Sequence, residues 1–374
     1  AKLIYVKNIP FLSTSQPTRL LSIISLSLGI LSALGADAWI KEKKKKKIIF
    51  LIIIPIIFLG ICWVATMYLY PEYIPVARKN LIFPSLMIFC SAIVLIINSC
   101  WKKNLLFESL IVILLIIDLF RFGWKFTPFS KKEWLYPSTQ IIRILDNNSL
   151  SEQGRFLALD RRIMAPNFSV SYGLQDVSGY DPLYLKRYGQ FVAAWQRDKP
   201  DISPASFNRI ITPTNIDNPF ADLLGIKYVL SIDSLKNEKL NLISTEGQTN
   251  VYENQKVFPR AFLVENVLFA SNDQDEIEKM FLIKDELKTK AVSQYDLKIS
   301  NVPLSSGEMV KINYYSENRI DLETFTEENR LLVLTDPYYP TWKATIDNQR
   351  SSIYQVNFLF RGIVVPKGNH KIIL

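Results

Sequence analysis

The chain shows two regimes of hydrophobic patterning. Through its first third, apolar residues follow one another with no polar face; beyond it they come in short runs broken by polar turns. Four stretches of the first regime approach the ~20 apolar residues that a bilayer crossing needs: Leu20–Ile40, Ile48–Tyr70, Leu81–Cys100 and Leu105–Phe122. The second reads IIFLIIIPIIFLGICWVATMYLY and carries no charge. A helix that is apolar on every side needs apolar surroundings on every side, which predicts four membrane helices over 20–122. The first of them does not start at the N-terminus and is followed by no small-residue cleavage pattern, so a secretory signal fits poorly.

The second regime predicts a mixed fold. Tyr136–Leu145 reads as a short helix with Ser138 as its cap, and Arg155–Leu159 as a short strand. Leu183–Arg197 carries Tyr184, Tyr188, Phe191 and Trp195 at helical spacing. ADLLGIKYVL, at 221–230, reads as a helix end, a glycine stop and a buried strand, with Val251–Tyr252 as its pairing partner. Asn272–Lys284 is amphipathic and begins with acids, as the helix dipole favours. From Val310 the chain alternates. It reads as three strands to Asp336 and three more from Lys343, with hairpin turns at Asp347-Asn348 and Lys367-Gly368-Asn369. Short strands at this spacing suggest a β-sandwich. The expected class is α+β: an outer N-terminal stretch (1–19), four transmembrane helices (20–122), an extracytoplasmic mixed α/β region (123–270), and a helix with a C-terminal β-sandwich (271–374).

Charge orients this arrangement. The 374 residues carry a net charge of +9, and all of that excess lies within residues 1–122; residues 123–374 hold 30 basic and 30 acidic side chains. The positive charge is concentrated at 41–47, KEKKKKK, and at 101–104, WKKN. Both join spans on the same side, which the positive-inside rule makes cytoplasmic. Everything after Gly123 is then extracytoplasmic. A water-facing part with no net positive charge argues against a nucleic-acid protein. The lipid bilayer is the first partner implied. Asp118 lies three residues before Arg121, so the two share a helix face and can pair, though the shallow position of Asp118 favours its reaching the nearby headgroups instead. The chain begins at Ala1 and ends inside the apolar alternation HKIIL, and is expected to be a piece of a larger protein.

Standard catalytic patterns are missing. The one histidine, His370, reads as a solvated turn residue, and no cluster has metal-ligand spacing. There is no phosphate-cradling glycine loop and no nucleophile elbow. The chemistry-bearing segment is GLQDVSGYDPLYLKRYGQF, which gathers Asp176, Tyr180, Asp181, Tyr184, Arg187 and Tyr188. Aromatic faces can stack on sugar rings while charged groups bind hydroxyls or phosphate, which makes these residues substrate-binding candidates. Trp342 and Arg361, in two later motifs, join them. The same aromatics at helical spacing also fit a packed core, and both readings follow from the pattern.

The ordered motifs GLQDVSGYDPLYLKRY (173–188), DLLGIKYVL (222–230), FPRAFLV (258–264), LVLTDPYYPTWKATIDN (332–348) and NFLFRGIVVPKGNHKI (357–372) carry a resemblance. Together they resemble the YfhO-type bacterial membrane proteins, which look like GT-C glycosyltransferases. Thr341 and Asn348 stand where that family usually has glycine, both at turns. The resemblance implies a multi-pass plasma-membrane protein that adds sugar to an envelope polymer such as lipoteichoic acid. It implies a polyprenyl-phosphate sugar donor, a divalent metal, and an envelope glycopolymer as partner. It places the catalytic acid in an outer loop before the residues matched here, so no catalytic residue carries over. The alternative is a non-catalytic, membrane-anchored outer domain that binds a glycan or a partner protein.

Overall fold

The computed structural model describes residues 20–41, 52–101, 104–126, 129–146, 154–203 and 209–374. The expected outer stretch at 1–19, the lysines at 43–47, Lys102 and Lys103 lie outside the described residues. The chain divides into two compact units, Ala1–Ser130 and Lys131–Leu374.

The first unit is helical: α1 (Leu20–Lys41), α2 (Ile53–Ala65), α3 (Ile74–Trp101) and α4 (Asn104–Phe126). Two of these, α1 and α3, are long and apolar enough to cross a bilayer, and only 6% of each apolar window is buried. A core helix of a water-soluble protein buries most of such a surface, so the exposed apolar circumference asks for lipid. The described part of α2 is shorter, and α4 carries Glu108, Asp118 and Arg121 within its apolar run. Four spans are therefore an expectation of the sequence, while two helices meet the criterion. Packing inside the unit is sparse and specific. Trp39 stacks on Phe107, with ring centroids 6.5 Å apart, and donates its indole N–H to Asn98 at 3.0 Å. Arg121 does not pair with Asp118; its guanidinium lies 3.8 Å from the centre of the Phe83 ring. The offset of three residues allowed the ion pair, but a tertiary aromatic neighbour took the cation.

The second unit is layered. A four-stranded sheet runs β1 (Arg155–Ala158), β4 (Ile226–Ser231), β6 (Thr249–Asn254), β5 (Leu240–Glu246), with β1 parallel to β4. The two-residue strands β2 (Gly179–Tyr180) and β3 (Ile210–Ile211) pair separately. A six-stranded sheet is ordered β7 (Ala261–Val264), β12 (Arg330–Pro337), β16 (Phe360–Val365), β15 (Tyr354–Val356), β9 (Lys290–Ser293), β8 (Asn266–Phe269). A five-stranded antiparallel sheet is ordered β10 (Met309–Tyr315), β11 (Ile320–Thr326), β17 (Gly368–Ile373), β13 (Ala344–Ile346), β14 (Gln349–Ser351).

Three cores join these layers. Helix α5 (Gln140–Asp146) packs Ile141 and Leu145 on Phe156, Tyr228 and Val251 of the four-stranded sheet. The opposite face of that sheet meets α6 (Lys186–Arg197), α7 (Phe220–Leu223), α8 (Asp273–Leu282) and one face of the six-stranded sheet. The other face of the six-stranded sheet meets the five-stranded one. Along β12, Leu331 and Val333 point into one core and Leu332 and Leu334 into the other. A strand covered on both sides has no reason to alternate, which explains the unbroken run LLVL. Gly362 of β16 sits where an added Cβ would come within 2.7 Å of Val356 and 3.0 Å of Leu331. The six-stranded sheet takes strands from before residue 271.

Local signals placed most elements. Gly225, at φ +71°, ends α7 as expected and starts β4, which pairs Leu230 with Val251. The helix expected over Tyr136–Leu145 begins at Gln140, capped by Thr139 rather than Ser138: the Thr139 hydroxyl accepts the Ile142 N–H at 3.2 Å. Glu246, from β5, also accepts the N–H groups of Gln140 and Ile141, at 3.2 and 2.9 Å. Asp347 and Asn348 both have positive φ and turn β13 into β14. Two expectations are corrected. The segment after Lys343 forms five strands, not three, because β13, β14 and β15 are three residues each. Lys367-Gly368-Asn369 is not a hairpin, since β16 and β17 belong to different sheets. His370 is correspondingly a strand residue, its Nδ1 2.7 Å from Asp347 Oδ2.

Candidate functional site

A cavity of about 410 Å³ opens where β1, the ends of β10 and β12, and β16 come together. Arg155 enters from the start of β1. Asp336 comes from a bulged end of β12, where the register with β16 shifts between Leu334 and Pro337. Arg361 is the second residue of β16, and Tyr315 ends β10. Gln175, Asp176 and Ser178 come from the segment beside β1, and Trp342 from the link between β12 and β13. A smaller neighbouring cavity of about 280 Å³ shares Arg155, Asp176 and Pro337 and adds Tyr188.

The floor is a saturated charge network. Asp336 Oδ1 accepts from Arg155 Nη2 and from Arg260 Nη1, both at 2.7 Å, and the Tyr315 hydroxyl lies 3.1 Å from Oδ2. Arg155 also donates to the carbonyls of Leu224 (2.6 Å) and Thr335 (2.8 Å), and Arg260 donates to Gln175 Oε1. Burial works against the Asp336 charge, but Arg155 and Arg260 outweigh it and hold the carboxyl below its ordinary range. Burial, then the neighbouring Arg260, pushes Arg155 down to about 10. It stays charged at neutral pH.

The lining is different, because its polar atoms lack partners. The Arg361 guanidinium stacks over Trp342 at 3.9 Å, and its Nε donates to Pro337 O at 3.1 Å. Its Nη1 is buried with no acceptor among the described residues. Asp176 Oδ1 accepts the Ser178 N–H at 2.8 Å, while Asp176 Oδ2 is buried without a partner among the described residues. Burial pushes Asp176 up to about 6, against the hydrogen bonds from Ser178.

The structure brings three of the sequence candidates into this cavity: Asp176, Trp342 and Arg361. Tyr188 lines the smaller one, and its hydroxyl donates to Val177 O at 2.5 Å. The others stand apart. Tyr180 is an exposed β2 residue whose N–H donates to Asn167 Oδ1 at 2.9 Å, and Asp181 accepts the Leu183 N–H at 2.7 Å in a turn. Tyr184 packs on the core. Arg187 pairs with Asp273 and, at 3.4 Å, with Glu276, donates to Phe358 O at 2.8 Å, and so ties α6 to α8. Sequence reading missed Arg155, Arg260, Tyr315 and Asp336 as site residues. The available signal was a charged residue at the end of a buried strand, as in RFLAL, FPRAF and LVLTDP.

The donor set does not fit a divalent metal. The Asp336 carboxylate is matched by two guanidiniums, and no three His, Cys, Asp or Glu side chains converge among the described residues.

Two helices long and apolar enough to cross a bilayer, followed by a sheet-rich unit with a polar cavity, fit a membrane protein. A family model described as bacterial membrane protein YfhO matches residues 14–295 and 284–374, and the chain belongs to that family. No curated protein and no solved structure matches it.

Proposed function

We propose that the chain is part of an envelope glycosyltransferase of the GT-C-like type, in which Lys131–Leu374 holds a glycan or glycan precursor. The observation that supports this is the lining of the cavity: a buried, aromatic-backed guanidinium with an unpartnered Nη1, beside a half-buried carboxylate and a buried hydroxyl. On this reading α1–α4 are four spans, the loops at 41–47 and 101–104 are cytoplasmic, and Lys131–Leu374 is extracytoplasmic. The cavity then supplies binding and orientation for a lipid-linked sugar or an envelope polymer. A second reading, a binding domain without catalysis, is favoured by the pairing of Asp336 with two arginines, which leaves it a poor proton acceptor.

The test compares envelope-polymer glycosylation in a strain lacking the gene and in the same strain complemented. Loss of a sugar substituent, restored on complementation, is the expected result. Unchanged glycosylation with a phenotype that complementation still rescues would leave the second reading in place.

A further inference from the structure

We propose that the second unit has its own contact with lipid: an aromatic surface, built from Trp134–Tyr136 and the turn Phe168–Tyr172, that inserts into the headgroup and upper acyl layer of the bilayer. This rests on reading α4 as a span and adds a lipid contact outside the spans.

The surface draws on two segments. The first, KKEWLYP at 131–137, holds a single 3-10 turn, Lys132–Trp134, and no residue of that turn is buried. Trp134 is 69% exposed and Tyr136 50%, with Leu135 exposed between them. The second is the 3-10 turn Phe168–Tyr172. The rings of Tyr136, Phe168 and Tyr172 lie 5.9 to 6.0 Å apart in all three pairings, and the Tyr172 hydroxyl donates to Pro137 O at 3.2 Å. Asn167, at φ +71°, starts the turn and is held by Tyr180: its Oδ1 accepts the Tyr180 N–H at 2.9 Å, and its Nδ2 donates to Tyr180 O at 2.5 Å. Val170, in the middle of the turn, is 74% exposed. Single exposed apolar residues are ordinary, but a braced cluster taken from two segments marks an interaction surface.

Composition and place in the chain indicate what covers it. Trp and Tyr over Leu and Val, with lysine at the rim, suit the boundary between water and hydrocarbon, where an amphipathic ring keeps its polar edge wet. The Lys131 ammonium lies 5.8 Å from the centre of the Trp134 ring, and Lys132 and Glu133 are exposed beside it. Trp134 follows Phe126, the last residue of α4, by eight positions, a tether of at most about 28 Å. The end of α4 exposes Trp124 and Phe126, so the aromatic series of the helix continues into this surface. Val170 also lines the 410 Å³ cavity, so the contact would put one wall of that cavity beside lipid.

The experiment attaches a nitroxide to Val170→Cys in the full chain, with Cys62, Cys90 and Cys100 replaced, reconstituted into phosphatidylcholine–phosphatidylglycerol vesicles. Power saturation compares collisions with oxygen, which concentrates in lipid, and with a water-soluble nickel chelate present on both sides of the membrane. Oxygen is expected to dominate at Val170, and nickel at a control label on Gln349→Cys, an exposed position in β14. Leu135→Cys is expected to behave as Val170→Cys does and carries the test if that variant does not accumulate. Nickel access at Val170 and Leu135 equal to that at Gln349 would overturn the proposal by showing a surface in water. Exclusion of both reagents would overturn it by showing a surface covered by protein. A label at Ile116→Cys, exposed on α4, tests the span separately: oxygen dominance there without it at Val170 sinks the proposal and leaves the span reading standing.

Discussion

Asp176 shows how one residue trades stability against readiness to bind. Its carboxyl is raised to about 6 from an ordinary value of 3.8, because burial disfavours its charge more than the Ser178 hydrogen bonds favour it. The native chain therefore holds this proton to a higher pH than the unfolded chain. Stability contributed by Asp176 falls as pH rises from about 4 to about 6, by up to about 3 kcal/mol. Asp176→Asn is expected to raise the melting temperature of the detergent-solubilised chain at pH 7.5 and to leave it unchanged at pH 4. A melting temperature that does not change with the substitution at either pH would show that the carboxyl is solvated. Asp176 was visible in the sequence as one acid among several in its segment. Its burial was not, since the bridge between Asp176 and Phe156 that sets it beside β1 is a tertiary contact.

At the scale of elements, local chemistry and sequence spacing were informative where a single segment decides its own geometry. Helix α8 begins where Asn272 Oδ1 accepts the N–H groups of Gln274 and Asp275, each at 3.0 Å, with Asp273, Asp275 and Glu276 in the first turn. Asn272→Ala is expected to cost about 1 kcal/mol, measured as a shift in the denaturation midpoint. The β13–β14 turn needs Asn348 at φ +67°. Asn348→Val forces a β-branched side chain into left-handed backbone and is expected to cost about 1–2 kcal/mol, while Asn348→Gly keeps full stability. The turn at 367–369 was readable as a turn, but not as a passage between sheets. Its composition reports the bend and carries nothing about which strand waits on the far side. The aromatics of α6 likewise had two meanings in the sequence. Phe191 and Trp195 are fully buried, and Tyr184 and Tyr188 pack beside them, because the helix lies between two sheets.

For the whole molecule, the proposed orientation makes a direct prediction. In a background with Cys62, Cys90 and Cys100 replaced, a cysteine at Lys45 is expected to stay unlabelled by an impermeant thiol reagent in intact cells. A cysteine at the exposed Glu317 is expected to label. The reverse pattern would invert the topology. The zero net charge of 123–374 also takes on a different meaning at this scale. It averages over local groupings such as Arg155 and Arg260 around Asp336, which no count along the chain reveals.

The sequence by itself determined the division into a lipid-demanding helical part and a strand-rich part, the family, and most turns and helix starts. Each of these depends on residues close together in the chain: an unbroken apolar run, a glycine or asparagine at positive φ, a cap, or an ordered set of motifs. Only the tertiary structure decided which candidates line a common cavity. Arg155, Arg260, Asp336 and Arg361 are separated by 25 to 206 positions and meet because two sheets converge on one cavity. Whether a buried charge there is satisfied or left with an open valence depends on neighbours that only the folded chain supplies.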